Sequence, residues 1–279
     1  MSRALACCLA LVLVSAGGIV WWGRMLAPVD AATRLTRESS LRVGYAIEAP
    51  YAFVGPQGLD GESVAVVNAM ASRLGIRRVD WVVTDFHELI PQLLAGRFDV
   101  IAAGLFTTSE RAQRVDFSQP TAYVGAGLLL RVDESRQYAT LAEVAADTHF
   151  VLAVVRDAVE ETRARMAGVP LERLLRVPDA ASGFEAVRSG RADGLALSAP
   201  TLRAGVRAPG HDDLRVIMLS GEPMARRDRP ALAFRKQDQR LRQICERALA
   251  TYLGSDEHLV RVMPLGFTAD ELRPQAGER

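Results

Sequence analysis

From Leu41 onward the chain alternates short apolar runs of strand type with segments whose apolar residues recur at helical spacing. This alternation is typical of a largely parallel sheet flanked by helices. It predicts strands at Leu41–Tyr45, Val79–Thr84, Phe98–Ala103, Tyr123–Leu130, Phe150–Val155, Gly194–Leu197, Leu214–Met218 and Ala231–Phe234. It predicts helices near Val64–Leu74, His87–Leu94, Leu141–Ala146, Val159–Met166, Gly183–Arg188 and Gln239–Tyr252. The fold class is therefore expected to be α/β.

Two charged segments without apolar periodicity, Val132–Gln137 and Gly221–Pro230, interrupt the alternation. Segments of this kind predict loops. We interpret them as crossovers between two lobes, with residues 41–130 and 221–267 in a discontinuous first lobe and residues 131–220 in an inserted second lobe. Asp30 to Ser40 is polar and is interpreted as a linker.

Local signals mark several helix ends. Ser63 and Asp85 stand just before apolar-periodic stretches, where a side-chain oxygen can cap free backbone N–H groups. Gly75, Gly96 and Gly190 follow the ends of three predicted helices, where a left-handed residue is often required. These signals agree with the helix boundaries drawn from periodicity.

The N-terminus has the pattern of an export signal: Arg3 precedes an uncharged apolar run, residues 4–22, and Arg24 follows it. The run is about long enough to span a bilayer, so an uncleaved anchor competes with a cleaved signal peptide. Val29 and Ala31 supply small residues at the spacing of a cleavage site. Residues 1–35 are predicted to be one or the other, which makes the protein periplasmic and limits membrane contact to this segment.

Composition excludes several classes. Lys+Arg number 34 and Asp+Glu 33, so no global field would draw the chain to nucleic acid. Cys245 is the one cysteine beyond the apolar run, which rules out an internal disulfide. The four histidines show no pair at metal spacing, and there is no P-loop or dinucleotide fingerprint. We expect no metal and no cofactor.

Several motifs occur in a specific order: LRVGYAIEAPYAF at 41–53, TDFHELIP at 84–91, FDVIAAGLFTTSER at 98–111, VDFSQP at 115–120 and GRAD at 190–193. In these residues the chain resembles the family 3 bacterial extracellular solute-binding proteins, over roughly 41–267. Within that family it is most similar to ectoine and hydroxyectoine binders, through TDFxxLIPxLLAxRFDxIAAG. The resemblance implies a type II periplasmic binding protein fold, with two α/β lobes joined by a two-strand hinge. It also implies a monomer that closes on a small zwitterion and delivers it to the membrane subunits of an ABC importer.

Four first-lobe residues are candidates for contact with the ligand, three of them, Arg111, Gly104 and Phe86, through the resemblance. Arg111 matches the arginine that grips the ligand carboxylate, a task suited to its planar fork of donors. The backbone at Gly104 makes a polar contact, Phe106 forms one wall, and Phe86 stacks on the ligand or receives a cation on its face. The residues alone also allow a solvated helical arginine and two phenylalanines that only fill the core.

Glu48 follows the first strand, where a carboxylate faces the usual ligand crevice of an α/β sheet. It could meet the positive end of a zwitterion, or be a solvent-facing loop acid. The acid with which amino-acid binders hold an α-amino group from the second lobe maps onto Ser198, and their small hydroxyl residue maps near Ala158 and Val159. Asp157 could replace the missing charge or cap a helix. The ligand is therefore expected to carry a secondary, cyclic or substituted amine.

Two other classes remain open. An enzyme similar to cyclohexadienyl dehydratases could use Glu48, Asp85 and Arg111, although general acid–base chemistry would need a shifted carboxyl within reach of its target. A membrane-anchored sensing module could use the same fold, but no kinase follows the clamp in this sequence. We expect a binding protein and not an enzyme.

Overall fold

The computed structural model describes residues 31–219 and 227–274. Its helices are α1 Ala31–Glu38, α2 Glu62–Arg73, α3 Leu89–Leu94, α4 Ser109–Arg114, α5 Leu141–Ala146, α6 Val159–Met166, α7 Ala180–Arg188, α8 Ala199–Val206, α9 Gln239–Leu249 and α10 Asp256–Val262. Its strands are β1 Ser40–Tyr45, β2 Phe53–Gly55, β3 Gly58–Asp60, β4 Arg78–Val83, β5 Val100–Ile101, β6 Val115–Pro120, β7 Ala126–Arg131, β8 Leu152–Val155, β9 Leu174–Val177, β10 Gly194–Ser198, β11 Leu214–Met218 and β12 Ala231–Arg235.

The first lobe is built on a five-stranded sheet in the order β4-β1-β5-β12-β6. Strand β1 runs parallel to β4 and β5, and β12 runs antiparallel to β5 and β6. Helices α1, α2 and α9 share one apolar cluster with this sheet, while α3 belongs to another with β5. In α9 the buried residues Leu241, Cys245, Ala248 and Leu249 recur at helical spacing, so one stripe of the helix faces the sheet.

The second lobe has a sheet in the order β11-β7-β10-β8-β9. Strands β8, β9 and β10 are parallel, and β7 is antiparallel to both β10 and β11. Leu128 and Leu130 of β7 join one apolar cluster with residues of α5 and α6, and Leu129 joins another with residues of α7 and α8. Burial on both faces explains why these strands read as continuous apolar runs.

Two extended segments, 121–125 and 227–230, connect the lobes and lie side by side. The N–H of Val124 donates to the carbonyl of Asp228 over 2.9 Å, and the N–H of Asp228 returns a bond of 2.7 Å. Thr121 N–H donates to the carbonyl of Pro230 over 2.8 Å. Such a paired crossing is the two-strand hinge of the predicted fold class.

The crossings differ in position from the sequence prediction. Residues 126–131 were assigned to the first lobe, but β7 pairs with β10 and β11 and lies in the second sheet. Val132–Gln137 is not a crossover. Its charges are satisfied inside the second lobe, where Arg136 pairs with Glu134 at 2.6 Å and with Asp147 at 2.8 Å. The described part of the other segment, 227–230, does run between the sheets.

The predicted linker is also different, because residues 31–38 form α1. The apolar cluster under the first sheet includes Ala31, Ala32 and Leu35. Their burial stabilises this short helix, although most of its residues are polar. Residues 1–30 of the predicted export signal or anchor lie outside the described residues. Within the described ranges, no helix combines the length and the apolar character needed to cross a membrane.

The helix-end predictions had mixed outcomes. Gly75, Gly96 and Gly190 all have positive φ, as predicted. Ser63 is not the cap of α2, because Gly61 occupies that position. Asp85 precedes the single turn of 3₁₀-helix at Phe86–Glu88 but makes no capping hydrogen bond.

Candidate functional site

The carboxyl ends of β1, β5, β8 and β10 face one another across the cleft between the lobes. A cavity of about 390 Å³ and another of about 360 Å³ lie in this cleft, with a narrow one of about 20 Å³ that shares residues with both. The narrow cavity is lined by Glu48, Phe86, Gly104, Phe106, Arg111, Ala158, Val159, Glu160, Leu197 and Ser198. Seven of the eight residues predicted to bind ligand are in that set. The eighth, Asp157, lines the cavity of about 390 Å³.

Arg111 lies on α4, whose N-cap Thr108 accepts the backbone N–H of Arg111. Its guanidinium donates to the carbonyl of Phe106 over 2.8 Å and, across the cleft, to the carbonyl of Asp157 over 2.7 Å. Burial lowers the pKa of the guanidinium, and the nearby carboxylates of Glu160 and Glu110 act in the opposite direction. Arg111 is thus a cation held between the two lobes by neutral partners.

The two predicted phenylalanines occupy different environments. Phe86 packs against apolar clusters of both lobes, and the guanidinium carbon of Arg111 lies 5.7 Å from its ring centroid. Its face is therefore in contact with a protein cation. Phe106 is buried beside Tyr51 and Val262, so it belongs to the core as well as to the cavity wall. Val159, from the second lobe, packs on the same cluster.

Gly104 permits a close approach of backbone to a side chain. Its φ is +64°, and a Cβ at this position would lie 2.5 Å from the ring of Tyr51. Its N–H donates to the hydroxyl of Ser63 over 3.2 Å, and that hydroxyl donates in turn to Oε2 of Glu62 over 2.9 Å. Glycine is required here by both backbone conformation and space.

A chain of hydroxyl groups joins Glu48 to the second lobe. The Thr201 hydroxyl donates to Oε1 of Glu48 over 2.7 Å, and the Ser198 hydroxyl lies 2.9 Å from that of Thr201. Tyr51 adds a longer bond of 3.4 Å to Ser198. Burial raises the pKa of Glu48 to about 7, although the bond from Thr201 acts to lower it. Ser198 also caps α8, so it has a structural role in addition to its place in the cavity.

Asp157 contributes its backbone and not its carboxylate. Its φ is +60°, a conformation unusual for a residue other than glycine. The N–H is held by Glu161 over 2.9 Å, and the carbonyl accepts from Arg111. The side chain is 60% exposed and lies 3.6 Å from Arg176. Asp157 therefore does not bring its carboxylate into the narrow cavity, where a second-lobe charge was expected.

The second-lobe acid that does line the narrow cavity is Glu160, which the sequence analysis did not identify. Glu160, in the first turn of α6, is 2% exposed and lines the narrow cavity. Burial raises its pKa to about 8, and the carboxylates of Asp228 and Glu48 add to that increase. In sequence it was one of two adjacent acids at a helix start, a pattern normally explained by the helix dipole. The one signal in the sequence was that Glu160 lies shortly after the carboxyl end of β8, which faces the cleft.

Glu62 is a second acid that the sequence did not single out. It is fully buried at the start of α2, and burial raises its pKa to about 7. It is bonded to Ser63 and does not line the narrow cavity. Within the described parts of the chain, no group of three or more His, Cys, Asp or Glu side chains is arranged to hold a metal. The charged groups that line the narrow cavity are thus one arginine, Arg111, and two carboxyls, Glu48 and Glu160.

The sequence matches one protein family and several known relatives. Residues 41–258 match the model of bacterial extracellular solute-binding proteins, family 3. A probable amino-acid ABC transporter periplasmic-binding protein of Sinorhizobium fredii is 28% identical over 239 residues, covering 83% of this chain and 78% of the relative. A probable histidine-binding protein of Campylobacter jejuni is 38% identical over 104 residues, covering 37% of this chain and 38% of its own length.

Solved structures agree with the sequence relatives. EhuB in complex with hydroxyectoine has a TM-score of 0.78 and 29% identity, covering 86% of this chain and 94% of that one. A mutant of ArgBP from T. maritima has a TM-score of 0.74 and 26% identity, covering 84% and 98%. The fold, the cleft between the lobes and the match over most of the sequence lead to one conclusion. The chain belongs to the bacterial extracellular solute-binding proteins, family 3.

Proposed function

We propose that this solute-binding protein captures a small zwitterion, an amino acid or amino-acid derivative such as an ectoine, and delivers it to the membrane subunits of an ABC importer. The observation that carries the proposal is the position of Arg111. Its guanidinium lies half-buried between the lobes and donates to one backbone carbonyl on each side. A ligand carboxylate is a better acceptor for this cation than a neutral carbonyl, because charge-assisted hydrogen bonds are the stronger kind.

Binding begins on the first lobe in this proposal. Arg111 takes the carboxylate, Phe86 and Phe106 bound the ligand on their apolar faces, and Glu48 receives its positive end. Ligand pockets usually exceed about 300 Å³, whereas the narrow cavity holds about 20 Å³. In this proposal the lobes separate at the hinge to admit a ligand to the narrow cavity. Closure then brings the second-lobe residues Val159 and Ser198 over it.

The proposal also includes a cellular setting, which the family supports. A periplasmic protein working as a monomer, with membrane contact confined to its N-terminal segment, would present the closed clamp to the importer. The sequence relatives include a probable amino-acid ABC transporter periplasmic-binding protein and a probable histidine-binding protein, and solved neighbours hold hydroxyectoine or arginine. These proteins share recognition of small polar compounds that carry a carboxylate.

We further propose that the protein is not an enzyme. Glu48 and Glu160 have raised pKa values, which general acid catalysis also uses. Raised values are equally expected for carboxyls buried by lobe closure, and the family is one of binding proteins. Incubation of purified protein with prephenate or arogenate should leave both unchanged over hours, and turnover above a heat-denatured control would overturn this part of the proposal.

A thermal-shift screen tests the binding function directly. Purified protein is heated with standard amino acids, ectoines, betaines and polyamines, each at millimolar concentration. A ligand present at a thousandfold excess over its Kd stabilises the native state by about 4 kcal/mol, which is far above noise. A shift confined to carboxylate-bearing zwitterions supports the proposal. A well-folded sample that responds to none of them, or only to polyamines, would overturn it.

A further inference from the structure

An ion pair joins the two lobes outside the ligand cleft. Arg203 lies on α8 of the second lobe, and its guanidinium donates to both carboxylate oxygens of Glu271, over 2.9 Å and 2.7 Å. The same nitrogen donates to the carbonyl of Gly266 over 3.2 Å. Neither Arg203 nor Glu271 lines any of the three cavities of the cleft. The pair therefore acts on the lobes and not on a ligand in those cavities.

The acid of this pair, Glu271, belongs to a C-terminal segment, residues 266–272, that packs on the first lobe. Phe267 and Leu272 join an apolar cluster with residues of α2 and α10. The ring of Phe267 meets that of Tyr51 edge-on, with the two centroids 5.6 Å apart. Burial of these apolar side chains anchors the segment to the first lobe. Its ion pair with α8 is thus a contact between the lobes.

The C-terminal segment also runs beside the hinge. The N–H of Tyr123, on one crossing segment, donates to the carbonyl of Glu271 over 2.7 Å. Arg227, on the other crossing segment, donates to the carbonyl of Asp270. The backbone that carries the Glu271 carboxylate is therefore fixed to both crossings.

The carboxylate itself is held by its own turn. Its Oε2 accepts the N–H of Thr268 over 2.9 Å, and the N–H of Glu271 donates to the Thr268 hydroxyl over 3.2 Å. The side chains of Arg203 and Glu271 are only 25% and 11% exposed. Surface ion pairs usually contribute little, because two mobile side chains must be ordered in a medium of high dielectric constant. Here one partner is already ordered and water is largely excluded, so the pair should stabilise the contact more than a surface pair does.

Helix α8 connects this ion pair to the cleft. Thr201, which donates to Glu48 inside the cleft, lies two residues before Arg203 on the same helix. Residues two apart on an α-helix point to nearly opposite sides. The N-cap of the helix is Ser198, which lines the narrow cavity. The first lobe thus holds α8 on two sides, one inside the cleft and one outside it.

We propose that Arg203 and Glu271 are positioning residues that stabilise the closed arrangement of the lobes from outside the ligand cleft, so that this ion pair raises ligand affinity through the equilibrium between open and closed lobes. This inference rests on the proposed function and deepens it. A contact that favours closure raises the affinity for every ligand by the same factor, because each ligand meets the same lobe equilibrium. Selectivity among ligands stays with the residues that touch them.

Glu271→Gln and Arg203→Met test the inference, since each removes the charge of one partner and keeps a side chain of similar length. Small-angle scattering of both unliganded variants should give a larger radius of gyration than that of the wild-type protein. Titration calorimetry with hydroxyectoine, arginine, histidine and proline should show a loss of affinity of about threefold to tenfold, equal for every compound that binds. The double variant should lose no more than either single variant, because the same pair is lost only once.

Glu257→Gln is the matched control. Glu257, on α10, pairs at 2.6 Å with Arg73 of α2, whose side chain is 27% exposed, so this pair lies entirely within the first lobe. The control should leave both the radius and the affinity unchanged. Circular dichroism and cooperative urea unfolding check that each variant is folded, and Arg203→Met leaves the C-terminal segment itself unaltered.

Two results would overturn the inference while leaving the proposed function intact. One is a radius of gyration equal to that of the wild-type protein in both unliganded variants. The other is a loss of affinity confined to one ligand, which would place the effect in the pocket. Failure of the wild-type protein to bind any compound would overturn the proposed function, and the radius of the variants would still decide whether the Arg203–Glu271 pair holds the lobes together.

Discussion

The hydroxyl of Thr201, on α8 of the second lobe, donates a hydrogen bond of 2.7 Å to Oε1 of Glu48 on the first lobe. This bond and the one from Arg111 to the carbonyl of Asp157, 2.7 Å long, both cross the cleft. Contacts of this kind exist only while the lobes are together. The structure therefore represents a closed arrangement in which polar groups of the two lobes satisfy one another.

Removing the Thr201 hydroxyl should favour the open arrangement. Thr201→Val keeps the shape of the side chain but leaves Glu48 without its donor, at a cost of about 1–3 kcal/mol in the closed state. Small-angle scattering of the unliganded protein should report a larger radius of gyration. Thr251→Val is the control, since its hydroxyl bonds to the carbonyl of Ala248 within the first lobe. An unchanged radius for Thr201→Val would show that this bond does not hold the lobes together.

Arg111 should be required for binding and not for folding. Arg111→Ala removes the buried cation, and the affinity for carboxylate ligands should fall by about 100-fold or more, because truncating one partner of a buried charge pair costs about 2–5 kcal/mol. Arg111→Lys should recover only part of the loss, since an ammonium lacks the planar fork. Titration calorimetry measures both. The exposed Arg97→Ala is the control, and unchanged affinity in Arg111→Ala would refute the role.

Stability should fall as pH rises through neutrality. Burial raises the pKa of Glu48 to about 7, that of Glu62 to about 7 and that of Glu160 to about 8. The native state therefore binds more protons than the unfolded state, so stability falls as pH rises from about 4.5 until it exceeds these pKa values, and each carboxyl still loses on the order of 1 kcal/mol between about pH 6.5 and 8.5. Below that window His258 opposes the trend, because burial lowers its pKa to about 4.

Urea unfolding of the unliganded protein at several pH values measures this slope. Glu62→Gln should flatten it without a change at the cleft, because Glu62 does not line the narrow cavity. His258→Gln should act only on the acid side of the window. A flat stability profile above pH 6.5 in the wild-type protein would contradict the raised pKa values of these three buried carboxyls.

Gly104→Ala should lower the free energy of unfolding by more than the unfavourable backbone conformation of an alanine alone would. The new Cβ would lie 2.5 Å from the Tyr51 ring, and the φ of +64° is unfavourable for alanine. Gly96→Ala is the matched control, since its φ is +76° and nothing lies within 4 Å of the new Cβ. We expect a loss of about 1 kcal/mol for the control and about 2–4 kcal/mol for Gly104→Ala in urea unfolding. Equal losses would mean that Tyr51 moves aside easily.

The main elements of the fold were predictable because their periodicity is strong. Leu141–Ala146, Val159–Met166 and Leu214–Met218 have the predicted bounds. The elements that were missed carry weak signals. Strand β6 contains Asp116, Ser118 and Gln119, and α8 contains Pro200 and Gly205. Their stability comes from pairing and burial in the tertiary structure, which a local pattern does not contain.

The candidate site was predictable for residues that follow strands and match an ordered motif. Arg111 and Glu48 were found in this way. Glu160 was not found, because an acid in the first turn of a helix is also explained by the helix dipole. Whether its carboxyl is buried or solvated depends on how the two lobes approach each other, which the sequence does not show. Asp157 shows the opposite error. It was expected to bring a charge to the cleft, but its φ is +60°, and its side chain lies 3.6 Å from Arg176 and does not line the narrow cavity.

The two crossing segments lie side by side, so the second lobe is one continuous part of the chain. Everything from Ala126 to Leu219 is one uninterrupted stretch whose ends meet, since Leu219 N–H donates to the carbonyl of Ala126 over 3.2 Å. Glu160, Ser198 and Thr201 lie within that stretch, while Glu48 and Arg111 lie outside it. A single genetic exchange of this stretch between homologous genes would replace every second-lobe residue of the cleft at once and leave Glu48 and Arg111 unchanged.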